Sequence, residues 1–194
     1  MNRRKLIKGI AAAAAASGVS VSTVAADTGN EKSHSTAVLS SATPTNGNRV
    51  AIVRAAKGGV EFVVKQNKNK ETVLDIGGQT PLHPAWNEQG NRLVVSLNGN
   101  IWMYEPRGEF VQVTDSGRDI FAQFDGEDIV FFRGDSTKQI SHTQLRKVAA
   151  GQYGPADVAI DDTPFKLSYA TKHPAVDENL AAEIRNYVAN AEES

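Results

Sequence analysis

The chain has 194 residues, a formal net charge of −1 at pH 7 and no cysteine. Without cysteine it can form neither disulfide bonds nor a thiolate zinc site, and it has no thiol nucleophile. The folded part must therefore be held together by packing alone.

The N-terminal segment, residues 1–26, has the composition of a cleaved export signal. Its basic start contains the paired arginines Arg3 and Arg4, an alanine-rich stretch follows, and Val24-Ala25-Ala26 supplies the small residues of a cleavage site. Paired arginines before a mildly apolar core are typical of a twin-arginine signal, which is read by a receptor. We therefore predict an exported protein, periplasmic or extracellular, whose mature chain begins near Asp27.

An uncleaved membrane anchor is the alternative for this segment. A membrane-spanning helix needs about 20 apolar residues, and polar side chains interrupt this stretch at Ser17, Ser20, Ser22 and Thr23. The absence of cysteine excludes a lipid-modified N-terminus. Cleavage would remove four of the 21 basic residues and none of the 22 acidic ones, so 17 minus 22 gives a net charge of −5. That charge argues against nucleic acid as a partner, because binding it requires a basic surface, and no membrane span is expected after cleavage.

Residues 27–47 are rich in serine, threonine, asparagine and glycine, so we expect a linker, with Ala37-Val38-Leu39 as a candidate first strand. From Asn48 the apolar pattern alternates. It predicts strands at residues 49–54, 60–66 and 72–76, a polar hairpin tip at 67–70 and a turn at Gly77-Gly78.

The clearest pattern covers residues 82–117, where short apolar runs alternate with turn residues. We predict strands at residues 84–86, 92–96, 100–104 and 110–114. The turns between them fall at residues 87–90, at Asn98-Gly99 and at Pro106-Arg107-Gly108. Four consecutive strands with short turns indicate an antiparallel meander.

A third block begins at Asp119, with strands predicted at residues 120–124 and 128–133 around an Asp125-Gly126 turn. The three blocks align on Gly47, Gly90 and Gly126, with spacings of 43 and 36 residues. A period near 40 is the signature of four-stranded blades. Trp86 and Phe124 occupy the same place in their blocks, and we expect both to be core aromatics between sheets.

The sequence of the central block resembles the TolB-type β-propeller repeat. The resemblance rests on Pro84-Ala85-Trp86-Asn87-Glu88-Gln89-Gly90-Asn91-Arg92-Leu93, Gly99-Asn100-Ile101-Trp102-Met103-Tyr104 and Val111-Gln112-Val113-Thr114-Asp115. It departs from the family pattern where Asn87-Glu88-Gln89 replaces Ser-Pro-Asp and where Val113 replaces leucine. The resemblance implies a mainly β fold of three blade-like, four-stranded antiparallel meanders, an incomplete propeller over residues 48–150. Propellers of this family commonly act as binding platforms, but a repeat identifies an architecture rather than a chemistry.

The pattern fades after Gly134. Residues 139–148 are predicted to finish the third blade as strands, residues 151–164 to form a loop with one strand at 158–160, and residues 165–169 to form a last strand. Asp177 is a candidate N-cap for a C-terminal helix over residues 178–191. One face of that helix is apolar, and we expect it to dock on the sheets; its residues are Leu180, Ile184, Tyr187, Val188 and Ala191.

Three blades are too few to close a propeller, which has about four to eight. One solution is a monomer whose residues 153–191 fold back over an open face. The other is a homodimer in which two chains join into a six-bladed ring. The apolar helix favours the covered monomer.

The sequence contains no motif for a serine nucleophile, a phosphate loop or a dinucleotide site. The four histidines are His34, His83, His142 and His173, and they lack metal-ligand spacing in sequence. We expect surface or loop histidines, while the fold could still bring one or two together. We assign no catalytic, cofactor-binding or metal-binding residue.

Two charged groups stand out. An acidic group is expected to supply turn residues, with a calcium site as the alternative; its members are Asp115, Asp119, Asp125, Glu127 and Asp128. A second acidic pair, Asp161-Asp162, is predicted to be a solvated turn. A basic group is expected at a solvated hairpin end, with a protected interaction edge as the alternative; its members are Arg54, Lys65, Lys68 and Lys70.

These features lead to three hypotheses on function. The first is an exported, non-catalytic binding module for a protein partner in the cell envelope. The second is an enzyme: similar propellers accompany prolyl-oligopeptidase-like peptidases, whose hydrolase domain this chain lacks, and form a lyase of pectic oligosaccharides, for which His83 and His142 would be the nearest metal ligands. The third is a shortened relative without retained activity.

Overall fold

The computed structural model describes residues 37–45, 48–66, 70–105, 110–173, 176 and 178–192, and within the last range it leaves out the side chains of residues 184 and 187–192. The predicted export signal lies outside the described residues. So do most of the predicted linker, the hairpin tip at 67–69, the turn at Pro106-Arg107-Gly108 and the helix cap Asp177.

The fold is mainly β and consists of three four-stranded antiparallel sheets, each with its strands in chain order. The first sheet contains β1 (Val38–Ala42), β2 (Arg49–Ala56), β3 (Gly59–Gln66) and β4 (Lys70–Leu74). The second contains β5 (Pro81–Trp86), β6 (Leu93–Leu97), β7 (Asn100–Tyr104) and β8 (Phe110–Gln112). The third contains β9 (Asp119–Asp125), β10 (Asp128–Arg133), β11 (Ser136–Ile140) and β12 (Asp161–Asp162). The predicted class, three blade-like meanders, is confirmed.

Three α-helices follow β11: α1 (His142–Ala149), α2 (Leu167–Thr171) and α3 (Glu178–Glu192). A short 3₁₀ turn, Pro155–Asp157, lies between the first two. The predicted C-terminal helix is confirmed as α3. None of the helices in the described part of the chain is long and apolar enough to cross a membrane.

Three strand predictions in this region are wrong. Residues 139–148 form a strand only as far as Ile140. The rest belongs to α1, because the carboxylate of Asp128 in β10 caps a helix that begins at His142. The last strand of the third sheet lies at Asp161–Asp162 instead of residues 158–160. Residues 165–169, predicted as a strand, instead lead into α2, which is held in place by side chains of β9.

The first strands of the three sheets lie next to one another, β1 against β5 and β5 against β9. Each of these inner strands has an irregular register with its partner strand. In β5 and β9 the irregularity coincides with a residue in the left-handed region, His83 with φ 55° and Phe121 with φ 60°. A bulge bends its strand and redirects the side chain, and here it brings His83 and Phe121 together, with ring centroids 5.1 Å apart.

The second sheet is the middle layer of the fold. Its strand β6 is buried on both faces, because all five of its residues are buried. One face packs with the first sheet in a core that includes Phe62, Trp86 and Leu93. The other packs with the third sheet around Met103 and Phe131. The prediction for Trp86 is therefore confirmed, whereas Phe124 is only partly buried against the second core.

Helix α1 packs on the third sheet through Leu145 and Val148, both of which are buried in the core shared with the second sheet. The side chain of the preceding residue, Ser141, makes no capping hydrogen bond. Instead, Oδ1 of Asp128 accepts a hydrogen bond from the backbone N–H of His142 at 2.6 Å. An acidic side chain at this end of a helix satisfies a free N–H and favours the helix dipole.

The C-terminal segment, residues 165–181, covers part of the third sheet. Phe165 and Val176 pack against Phe121 and Phe132 of strands β9 and β10. Helix α3 contributes Leu180, which packs with α2 and its flanking residues rather than on a strand. The segment thus supplies apolar cover that a further blade would otherwise provide.

Candidate binding cavity

A cavity of about 290 Å³ lies where the three inner strands end. Four chain segments form its walls: residues 43–45 after β1, residues 85–88 at the end of β5, residues 123–125 at the end of β9, and three residues of α2 and its C-terminal end. The cavity therefore depends on the way the inner strands meet and on where α2 is held.

Trp86 fixes the two walls formed by β1 and β5. Its indole Nε1 donates a hydrogen bond to the carbonyl oxygen of Ala42 at 2.9 Å, and its ring meets Tyr104 edge-on with centroids 6.5 Å apart. Because the indole is both packed and hydrogen-bonded, it fixes the end of β1 relative to β5.

Asn87 holds the turn that carries Glu88 to the cavity. The Oδ1 atom of Asn87 accepts hydrogen bonds from the backbone N–H groups of Asn91 and Arg92, both at 3.0 Å. Its own carbonyl oxygen accepts one from the N–H of Gly90. Asn87 is only 2% exposed, whereas Glu88 is exposed. The turn is therefore held in place by hydrogen bonds, and the carboxylate of Glu88 is exposed at the cavity.

The wall formed by α2 is fastened to β9 by polar contacts. Oδ2 of Asp125 accepts hydrogen bonds from Nζ of Lys166 and from the hydroxyl of Tyr169, both at 2.7 Å. Nε2 of Gln123 donates to the carbonyl oxygen of Tyr169. The hydrogen bond from Lys166 is the main cause that lowers the pKa of Asp125, and burial is the main cause that raises the pKa of Tyr169. Asp125 is thus an ionised anchor for the helix.

A buried aromatic group anchors the end of the same helix. His173 is 1% exposed and stacks on Phe121 with ring centroids 3.8 Å apart. Its Nε2 lies 3.2 Å from the carbonyl oxygen of Ala122, and its ring meets that of His83 edge-on at 5.9 Å. Burial, with a smaller effect from His83, lowers the pKa of His173 to about 3. His173 is therefore neutral at physiological pH.

His83 and His142 were the nearest candidates for metal ligands, but the fold brings His83 together with His173 instead. His142 begins α1, where its Nδ1 lies 2.9 Å from Nη1 of Arg92 and 3.6 Å from Oε2 of Glu127. His34 lies outside the described residues. Among the residues that the structure describes, no group of three or more His, Cys, Asp or Glu side chains is arranged to hold a metal ion.

The predicted acidic group does not gather at one point. Asp119 is fully buried and accepts two hydrogen bonds from Arg133, at 2.6 Å and 2.8 Å. Asp125 holds α2, and Asp128 caps α1. These three carboxylates thus have separate structural roles, and the turn interpretation fits Asp125 and Gly126, which join β9 to β10. Asp161-Asp162 forms an exposed edge strand instead of a turn.

The predicted basic group is largely paired with acids on the outer face of the first sheet. Nη2 of Arg54 lies 2.8 Å from Glu61 and 2.6 Å from Glu71, and Nζ of Lys65 lies 3.3 Å from Glu71. Lys68 lies outside the described residues. The face therefore carries charges of both signs rather than a basic patch.

Comparison with known proteins adds no family. The sequence matches no protein-family model, and no curated protein is significantly similar to it. The candidate site therefore rests on the geometry of this chain.

Of the cavity residues, only Asp125 belonged to a group with a functional alternative in the sequence, the calcium site, and the structure gives it a structural role instead. A signal for Glu88 was present, because it belongs to Asn87-Glu88-Gln89, the turn at which the central block departs from the family pattern that it resembles. Tyr169 and Lys172 gave no signal, because residues 165–169 were predicted to be a strand and no element was predicted at Lys172. The cavity offers hydroxyl groups, the carboxylate of Glu88 and the ammonium group of Lys172, and these can bind a ligand by polar contacts.

Proposed function

We propose that this chain is an exported, non-catalytic binding module for a protein partner in the cell envelope. The observation that supports the proposal best is the cavity at the joined ends of the three inner strands, with α2 clamped beside it by Asp125 and Gln123. Pre-formed concave sites with a few placed polar groups are the usual form of a binding site. The resemblance to TolB-type propellers, which serve as binding platforms, agrees with this proposal.

Partner capture tests the binding part of the proposal. Tagged full-length protein is used to recover proteins from an envelope extract, and a recovered protein is then purified and mixed with the bait. We expect the wild-type chain to form a direct complex with the recovered protein. The Tyr169→Ala variant should form it less well, because Tyr169 helps to fix the wall of the cavity. Failure to recover any protein above background under several mild conditions contradicts the proposal.

Export is a separate part of the proposal and rests on the sequence of residues 1–26. We propose that the chain follows the twin-arginine route and that the mature protein lies in the periplasm or outside the cell. Replacing Arg3 and Arg4 by lysine should leave precursor inside the cell, as seen by fractionation and immunoblotting. Normal export of the double variant contradicts the twin-arginine route and leaves a general secretory signal.

We also propose that the protein is a monomer. The support is that residues 165–181 already cover part of the third sheet with Phe165 and Val176, the face that a second chain would need in order to complete a six-bladed ring.

A further inference from the structure

The cavity has two charged side chains that the fold leaves unused. Three charged side chains line it: Glu88, Asp125 and Lys172. Asp125 is already engaged by Lys166 and Tyr169. Within the described part of the chain, neither Glu88 nor Lys172 makes an ion pair or a side-chain hydrogen bond, and both are exposed. One free carboxylate and one free ammonium group therefore face the same cavity.

These two charges come from different walls, and both walls are rigid. Glu88 follows β5 in the turn held by Asn87. Lys172 ends α2, where its backbone N–H bonds to the carbonyl oxygen of Ser168 at 3.0 Å. The next residue, His173, is buried against Phe121. Since the backbone is fixed at both positions, a ligand would gain two charge contacts without having to order the walls.

Apart from Asp125, whose charge is already paired with Lys166, the remaining side chains on the walls are neutral. Hydroxyls come from Thr43, Thr45 and Ser168, and the rings of Phe124 and Tyr169 add apolar surface. A purely cationic ligand would be repelled by Lys172, and a purely anionic one by Glu88. A ligand that carries both signs complements the cavity, and electrostatic complementarity of this kind determines specificity. The volume, about 290 Å³, is at the small end of ligand sites and fits a molecule of amino-acid or dipeptide size.

We propose that the cavity binds a small zwitterion, with the ligand's ammonium group towards Glu88 and its carboxylate towards Lys172. Two sources supply this chemistry: a free amino acid or dipeptide, or a short segment of a partner protein that carries a basic and an acidic side chain. The second source would make the cavity the contact point of the proposed partner, so that version rests on the proposed function, whereas the first does not.

Calorimetric titration of the full chain distinguishes the two sources. One probe is alanyl-alanine with free termini, and the other is an N-acetylated, C-amidated tetrapeptide that contains one lysine and one aspartate. Binding of the first indicates a free zwitterion, and binding of the second alone indicates a protein segment. Acetylating and amidating alanyl-alanine removes both its charges and should abolish its binding.

Charge-removing variants test the assignment of residues. Glu88→Gln and Lys172→Gln should each weaken binding of the active probe about fivefold, as for one partly exposed ion pair. Matched controls are Asp161→Asn and Arg118→Gln, which remove the same charges at exposed positions outside the cavity, and these should bind like the wild type. Thermal unfolding of each variant checks that it is folded.

Two results overturn the inference. One is the absence of binding by either probe at millimolar concentration, and the other is binding that Glu88→Gln and Lys172→Gln leave unchanged. Either result leaves partner capture from the envelope extract as an independent test of the proposed function.

Discussion

The indole Nε1 of Trp86 lies 2.9 Å from the carbonyl oxygen of Ala42, and this hydrogen bond joins the ends of two inner strands that belong to different sheets. Trp86 is 8% exposed and lies in the core between those sheets. One side chain therefore combines packing, a buried hydrogen bond and the shape of the cavity beside it.

Truncating Trp86 should strongly destabilise the fold. We expect Trp86→Ala to lower the free energy of unfolding by about 3–5 kcal/mol, as for other large core truncations. Trp86→Phe keeps most of the packing but leaves the carbonyl of Ala42 without its donor, which should cost about 1–3 kcal/mol. Denaturant unfolding measures both. The control is Trp102→Ala, which removes a partly buried indole and should cost less. A loss below about 1 kcal/mol for Trp86→Ala contradicts the packing of the two sheets.

Gly99 should be difficult to replace. It has φ 72°, and a Cβ atom there would lie 2.3 Å from the carbonyl oxygen of Gly117. Its own carbonyl oxygen accepts a hydrogen bond from the N–H of Asp119 at 2.7 Å, so this turn positions the start of β9. The matched control is Gly134→Ala. Gly134 has φ 59°, but a Cβ atom added there would have no atom within 4 Å apart from those of its chain neighbours.

We expect Gly134→Ala to cost about 1 kcal/mol from backbone strain alone. Gly99→Ala should cost at least about 2 kcal/mol more, since the backbone must also move. Thermal or denaturant unfolding of the two variants gives the comparison directly. Equal losses would mean that the turn at Gly99 does not approach Gly117 so closely.

Much of the sheet structure could be predicted because its signals are local. The Asn98-Gly99 turn, with φ 51° and 72°, is the type that two-residue hairpins favour, and the alternating apolar residues gave the strands around it. The helices α1 and α2 were missed because their determinants are distant. Asp128 caps α1 at His142, and Asp125 holds α2 through Tyr169. Neither contact can be inferred from residues that are neighbours in the sequence.

The same reason applies to the cavity. Its walls come from four separated segments, and its two free charges, Glu88 and Lys172, are 84 positions apart by their numbers in the chain. Local patterns could identify Glu88 as unusual within a repeat. They could not show that Lys172, at the end of α2, lines the same cavity as that turn.

The buried His173 should make the protein sensitive to mild acid. Its pKa is lowered to about 3 in the folded state, below the ordinary value of about 6.5 that an unfolded chain would show. As the pH falls below about 6.5, the unfolded chain binds a proton that the folded chain does not, so stability decreases by about 1.4 kcal/mol per pH unit. The decrease should continue until the pH approaches about 3.

Unfolding free energies between pH 7 and about pH 5 test this, because most carboxylates stay ionised there. His173→Phe, which keeps an aromatic ring against Phe121, should flatten the pH dependence. His142→Phe, at a partly exposed histidine, is the comparison variant. His83 also faces His173, so a His83→Phe variant shows whether any residual slope comes from that ring. An unchanged slope in His173→Phe contradicts the assignment.

Removing residues 177–194 should expose apolar surface. Leu180 packs against Ala170, and Ala181 is buried. Without them we expect stronger binding of a hydrophobic dye and a tendency to aggregate, because contiguous exposed apolar surface promotes association. A Leu180→Ser variant is a milder form of the same test and should show a smaller increase in dye binding.

The central claim is that a single chain covers its own third sheet, and the molar mass in solution tests it most directly. Light scattering of the intact protein should give the mass of one chain, 20.8 kDa before any cleavage, and the protein lacking residues 177–194 should scatter as larger aggregates. A stable dimer of the intact protein, together with a truncated protein that is equally soluble, would contradict the covered monomer and support a ring built from two chains.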